Sequence, residues 1–134
     1  MILRNKKDIG ALGERLAARY LRRQGYRIVA RNVHCGRNEL DLVVKNKEYI
    51  AFVEVKTRSF FSLQQAMEHR PSVAVDAGKR ARTVQAAREY LRKHPAKLCP
   101  RLDVVEVYLN REKRLKPFKI HHIEGAFGAS GRIR

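Results

Sequence analysis

Two acid-bearing strands that fold back on each other constrain this chain more than any other feature of its sequence. Glu39-Leu40-Asp41-Leu42-Val43-Val44 and Tyr49-Ile50-Ala51-Phe52-Val53-Glu54-Val55-Lys56 are rich in β-formers, and the polar stretch Lys45-Asn46-Lys47-Glu48 separates them. They read as an antiparallel hairpin. Side chains alternate along a strand, so Glu39, Asp41 and Val43 share one face, as do Phe52, Glu54 and Lys56 on the next strand. A four-residue loop, 46–49, pairs Lys45 with Ile50 and Asp41 with Glu54. A two-residue loop, Asn46-Lys47, instead sets Asp41 opposite Phe52 and Glu39 opposite Glu54. Either register gathers Asp41, Glu54 and Lys56 on one side of a sheet.

The remaining elements build a layered domain around this hairpin. Asp8 is a candidate N-cap for a helix running to about Gln24, with Gly25 closing it in a left-handed turn. Ile9, Leu12, Gly13, Leu16, Ala17, Tyr20 and Leu21 form its apolar arc, and Glu14 lies at the margin, facing the seam between helix and sheet. Tyr26-Arg27-Ile28-Val29-Ala30 alternates like a strand, and His34-Cys35-Gly36-Arg37-Asn38 reads as a turn. Residues 57–72 look irregular, with Phe60, Phe61 and Leu63 tucked under the fold. A second helix spans about 75–93, with Ala77, Ala81, Val84, Ala87 and Leu91 inward and Lys79 and Arg82 outward. Pro95 and Pro100 bracket a loop, Leu102-Asp103-Val104-Val105-Glu106-Val107-Tyr108-Leu109 is a strand, and 118–123 is a candidate short fifth one. The expectation is one α/β domain over residues 1–124, a mixed sheet flanked by helices in the order α-β-β-β-α-β, with a mobile basic tail over 125–134.

Charge narrows the partner. Thirty Lys and Arg face 13 Asp and Glu in 134 residues, a net charge of +17. Such an excess repels itself when folded, so a polyanion is the expected partner, with nucleic acid ahead of an anionic membrane surface. No apolar run approaches the roughly 20 residues of a membrane helix. Residues 1–7 have no signal-peptide core, and two distant cysteines make neither a disulfide framework nor a zinc spacing. A cytoplasmic protein with buried or half-buried thiols is expected.

Within this basic chain, paired carboxylates are informative. Side by side they repel and raise a pKa, which is a poor way to stabilise a fold. They are a good way to hold a hard divalent cation, which takes oxygen ligands and fills open positions with water. A lysine two residues along can orient a water and steady charge developing on phosphate. Phosphodiester hydrolysis unites these features. The plainer alternative is a solvated charge pair between Asp41 and Lys56, worth about 0–1 kcal/mol.

The motifs together carry a resemblance. Gly10-x-x-Gly13-Glu14, Ala17-x-x-Tyr20-Leu21 and Gly25-Tyr26 precede Asn38-Glu39-Leu40-Asp41-Leu42-Val43 and Phe52-Val53-Glu54-Val55-Lys56-Thr57-Arg58. Val75, Lys79, Ala87-x-x-Tyr90-Leu91 and Arg101-Leu102-Asp103-Val104-Val105 follow. Over roughly residues 8–109 the chain resembles the YraN-type family, small bacterial proteins described as endonuclease candidates and similar to archaeal Holliday-junction resolvases. The resemblance implies a restriction-endonuclease-like fold and the PD-(D/E)xK nuclease pattern. It implies Asp41 and Glu54 as metal-binding acids, Lys56 as the motif lysine, and Glu14 as an acid of the first helix that also faces the metal. It implies Mg²⁺ or Mn²⁺ as cofactor and DNA, including branched DNA, as substrate. Lys79 takes the place of an extra polar residue on the helix after the hairpin. Asn38 stands where the family usually has Gly.

Other residues divide between roles. Glu39 either helps bind metal or supports the turn. Thr57 and Arg58 either touch a phosphate or end a solvated strand. Arg82 is one of several helix bases (Arg15, Arg19, Arg22, Arg80, Arg88) from which phosphate contacts would come. Asp103 fits a structural pairing with Arg101. His121 and His122 are adjacent on a strand and so point oppositely, which argues against joint ligation. A symmetric four-way junction would call for a homodimer, although the sequence shows no obvious dimer surface. The non-catalytic alternative is a basic nucleic-acid-binding module that keeps the fold.

Overall fold

The computed structural model describes residues 5–69 and 77–126. Helix α1 (Lys6–Arg23) is followed by strands β1 (Arg27–Cys35), β2 (Asn38–Lys45) and β3 (Tyr49–Phe60). Two helices, α2 (Leu63–Glu68) and α3 (Ala77–Lys93), lead to β4 (Cys99–Asn110), a single 3-10 turn (Arg111–Lys113) and β5 (Lys116–Ile123). The five strands form one sheet in sequence order, with β3 and β4 parallel and all other neighbours antiparallel. A parallel pair needs a long crossover, and the stretch bearing α2 and α3 supplies it.

The mixed sheet flanked by helices matches the expected class, but the element order does not. The order is α-β-β-β-α-α-β-β once the 3-10 turn is set aside. Residues 57–60 continue β3 instead of leaving the sheet, because Thr57 to Phe60 still pair with Val107 to Asn110. Ser62, read as a loop residue, is the N-cap of α2: its hydroxyl accepts from the Gln65 N–H (3.1 Å) while Gln65 Oε1 accepts from the Phe61 N–H (2.8 Å). Phe60 is buried, but Phe61 and Leu63 stand in solvent. Pro100 lies inside β4 instead of bounding a loop. The α1 cap is Asn5, whose side chain accepts from the Asp8 N–H (2.9 Å), so Lys6 and Lys7 belong to the helix. Gly25, at φ +96°, closes that helix as expected.

The sheet is buried on both faces. On one, Ile9, Ala17, Ala18 and Leu21 of α1 pack on Leu42, Val44, Ala51, Val53, Val105 and Val107. On the other, Ala86, Ala87 and Tyr90 of α3 pack on Val43, Ile50, Phe52, Leu102 and Val104. At Gly13, α1 lies close against the sheet. A Cβ there would sit 1.8 Å from Thr57 Oγ1 and 2.8 Å from Thr57 Cβ. The inward stripe of α3 runs through Lys79, Thr83, Ala86, Ala87 and Tyr90, whereas Ala81 is exposed. Val84, Ala87 and Leu91 pack on this face as expected, and the correction is confined to Ala81; the side chain of Ala77 lies outside the described residues. The front half of α3 overhangs a polar part of the sheet, so its inward positions carry Lys and Thr.

A buried polar knot ties the far end of the sheet together. Asp103 accepts from Arg101 Nε (2.8 Å) and Nη2 (2.9 Å), from the Gly125 N–H (3.1 Å), and lies 2.7 Å from His122 Nε2. Arg101 Nη2 also donates to the Tyr26 hydroxyl (2.5 Å), and its guanidinium stacks 4.5 Å from the Tyr49 ring centre. Burial alone would push Asp103 up, but these hydrogen bonds outweigh it and hold its carboxyl below the usual range. The structural role expected for Asp103 is therefore the one observed. The knot also anchors the start of the tail expected to be mobile, since the Ala126 N–H donates to the Leu102 carbonyl (2.8 Å). Residues 127–134 of that tail, residues 1–4, and 70–76 lie outside the described residues.

Candidate functional site

The hairpin takes the four-residue-loop register: Lys45 pairs with Ile50 and Leu42 with Val53. Regular pairing stops there. One step further on, where Asp41 would face Glu54, the Asp41 side chain enters the ladder and its Oδ2 accepts from the Val55 N–H (2.9 Å). The other neighbour of Asp41 is also irregular. Asn32 of β1 sits in the left-handed region at φ +48°, and the β1–β2 pairing skips the Asn32/Asp41 position. On the β3 side the ladder thus opens at Asp41, with its carboxylate turned into the opening.

The gap is a small cleft of about 80 Å³, lined by Glu39, Leu40, Asp41, Phe52, Val53, Glu54, Lys79 and Thr83. That is space for several waters or a partly hydrated ion. Glu54 is buried, and its Oε1 pairs with the Lys79 ammonium, while Oε2 has no hydrogen-bond partner among the described residues. Burial pushes the Asp41 carboxyl above its ordinary range, reinforced by Glu54 and Glu39 and partly offset by the Val55 N–H and Lys79. Burial, then the charges of Asp41 and Glu39, raises Glu14 as well, against a hydrogen bond from Asn32. Four carboxylates therefore feel one another inside a chain of net charge +17.

The residues singled out from the sequence separate into those that converge and those that do not. Asp41, Glu54 and Lys79 line the cleft, with Glu39 at its side. Lys79 is exposed, as expected, and its ammonium nonetheless reaches Glu54 at the cleft. Glu14 approaches Asp41 from α1 but does not line the cleft. Lys56 is half-buried two residues beyond Glu54, in register with the buried Glu106 of β4. Thr57 packs against Gly13, and Arg58 is exposed. Arg82 lines a neighbouring recess with Arg37, Asn38, Gln85 and Glu89. Asn38 needs no left-handed backbone, because Gly36 supplies it at φ +64°. His121 and His122 point to different partners, Glu106 (3.6 Å) and Asp103 (2.7 Å).

Asn32 was missed, although an Asn interrupting a β-rich run is the signal for a left-handed position. Glu106 was also missed. It reads as one more alternating strand residue, and only the parallel neighbour places it beside Lys56.

Among the described residues, no group of three or more His, Cys, Asp or Glu side chains is arranged to hold a metal ion. Of the three carboxylates that line the cleft, Asp41 and Glu54 are the less exposed, and Mg²⁺ ordinarily takes one or two carboxylates, several waters and substrate phosphates. The unpartnered Glu54 Oε2 beside a raised Asp41 suits that role. Among the described residues no helix is long and apolar enough to cross a membrane.

Fold and site together define a small, strongly basic mixed α/β protein with an acid cleft where its central hairpin splays. The chain belongs to the uncharacterised protein family UPF0102, whose model matches residues 13–107. A UPF0102 protein of Caldanaerobacter subterraneus is 43% identical over 124 residues, covering 92% of this chain and 97% of the relative. One from Porphyromonas gingivalis is 39% identical, covering 90% and 84%, and one from Syntrophotalea carbinolica is 39% identical, covering 92% and 94%.

Proposed function

We propose that the protein is a divalent-metal-dependent endonuclease that hydrolyses DNA phosphodiester bonds, with a restriction-endonuclease-like core of the PD-(D/E)xK kind. The convergence of Asp41 and Glu54 on one cleft of a +17 chain carries this reading. Asp41 and Glu54 are the residues that would hold a Mg²⁺ or Mn²⁺ ion, with Glu14 at its margin. A cation bound there lowers the pKa of water and polarises the phosphodiester. Lys56, on the strand that carries Glu54, orients the attacking water and neutralises charge on the phosphate. Lys79, which pairs with Glu54, would be available to the substrate phosphate if a cation took over that charge. Arg58 and Arg82 grip the flanking backbone, and Thr57 steadies the strand end against α1. The setting is the cytoplasm. Branched DNA is one candidate substrate, and cutting a symmetric four-way junction would require two copies of the chain.

One observation favours a second reading. The Lys79–Glu54 ion pair already neutralises one carboxylate, as it would in a non-catalytic DNA-binding module. Asp41→Ala and Lys56→Ala separate the two. The nuclease loses turnover in both variants while keeping DNA affinity, whereas the binding module shows no metal-dependent turnover to lose.

A further inference from the structure

Helix α2 has only six residues and buries none of them. An element normally offsets its ordering entropy by covering apolar surface. This one is instead held from within, by the reciprocal Ser62–Gln65 and Gln65–Phe61 hydrogen bonds. What it presents is apolar. Phe61 is 60% exposed, Leu63 58% and Met67 76%, and Leu63 and Met67 stand four apart on one helical face. Phe61 is braced further: the Arg111 guanidinium lies 5.5 Å from its ring centre, and Arg111 Nε donates to the Ser59 hydroxyl (2.8 Å). A rigid aromatic ring with a cation beside it, in solvent, is prepared for a flat partner.

We propose that Phe61, with Leu63 and Met67, is a stacking platform for unpaired nucleobases, so that the protein grips DNA where the strands are open. This rests on the reading of DNA as the partner. The platform lies at the end of the strand that carries Glu54, Lys56 and Arg58, six residues or about 20 Å from Glu54 to Phe60. That is about six base steps at 3.4 Å, with the exposed Arg58 along the way to meet a phosphate. Charge selects this occupant over a second copy, because two +17 chains repel at a surface that carries Arg111 beside Phe61. Size selects it over a membrane. Membrane binding scales with the apolar area buried, and three side chains offer little of it, whereas they match one or two bases.

The sequence contains no tryptophan, so Phe61→Trp installs a single reporter. In EDTA, oligo-dT is expected to quench its fluorescence, and a blunt duplex of equal length is expected to quench it far less. Base–aromatic stacking implies that Phe61→Ala weakens oligo-dT binding by about 5- to 150-fold and leaves duplex binding nearly unchanged. These positions are exposed, so both variants should melt as wild type does. Equal oligo-dT affinity for wild type and Phe61→Ala, with no quenching of Phe61→Trp, overturns the platform while DNA binding stands. A blue shift only with anionic vesicles assigns the patch to a membrane, and one that follows protein concentration assigns it to a second copy; either overturns the proposal. Absence of binding to any DNA overturns the nuclease reading as well.

Discussion

Gly13→Ala reverses the sign that helix propensity alone would give. Alanine in place of an interior helical glycine ordinarily gains about 1 kcal/mol. Here the new Cβ would stand 1.8 Å from Thr57 Oγ1 and 2.8 Å from both Thr57 Cβ and Cγ2, where ordinary contact begins at 3.4 Å. The hydroxyl can rotate away. The Thr57 Cβ is fixed to the β3 backbone and cannot, so α1 must retreat by at least about 0.6 Å at Gly13. Overpacking of this kind costs about 1–3 kcal/mol, and three atoms in conflict place it near the upper end. The expected net effect is a loss of about 2 kcal/mol, or roughly 8 °C in melting temperature for a chain this size. Urea denaturation of four proteins checks the cause: wild type, Gly13→Ala, Thr57→Gly and the double variant. In the Thr57→Gly background Gly13→Ala should become stabilising by about 1 kcal/mol, a coupling of about 3 kcal/mol. Thr57→Ala should rescue only in part, because its Cβ remains. An equal effect of Gly13→Ala in both backgrounds would refute the packing that places Glu14, the next residue, at the edge of the cleft.

Other substitutions probe the charges. Asp41 is raised in the folded chain chiefly by burial, so the unfolded chain ionises first and wild-type stability falls as pH climbs from the ordinary 3.8 to the higher folded value. Asp41→Asn, which keeps an acceptor for the Val55 N–H, should therefore melt higher than wild type at pH 7, with the difference closing below about pH 4; a constant difference across pH would contradict this. Lys79→Ala leaves the buried Glu54 without its counter-charge, but Lys79 is itself 49% exposed, so the loss should be about 1 kcal/mol. Millimolar Mn²⁺ should raise the melting temperature of Lys79→Ala more than that of wild type and leave Asp41→Asn unmoved, whereas the same response in all three would remove the cation from the cleft. Arg101→Ala strands Asp103 in the core and should cost about 3–5 kcal/mol in urea denaturation, a tenfold smaller loss being incompatible with the buried knot.

The hairpin was legible because alternation, β-forming residues and a polar turn all agree, and both possible registers gathered the same acids. Arithmetic on the sequence could not choose between those registers. The choice lies in the Asn46 side chain, whose Oδ1 accepts from the Glu48 and Tyr49 N–H groups (2.9 and 2.7 Å) and so fixes the longer loop. The inward residues at the back of α3 (Val84, Ala87 and Leu91) were legible, but its front turns were misread for a different reason. Alanine is neutral between core and surface, so Ala77 and Ala81 pulled the apolar arc away from Lys79 and Thr83, which face the cleft. The extension of β3 to Phe60 was hidden because Thr57, Arg58 and Ser59 gain their order from pairing with β4, a partner more than 40 residues away. Glu14 was legible at the edge of its helical arc. Its hold by Asn32 was not, since a left-handed residue within a strand declares itself only through its neighbours.

The central claim is most directly tested by incubating wild type and Asp41→Ala with linear duplex, single-stranded, flapped and four-way-junction DNA in Mg²⁺, Mn²⁺ or EDTA. The account predicts cleavage of at least one of these by wild type in the presence of a divalent cation, abolished by EDTA and by Asp41→Ala with DNA binding retained. No cleavage of any substrate by wild type, with both proteins binding DNA alike, would contradict it.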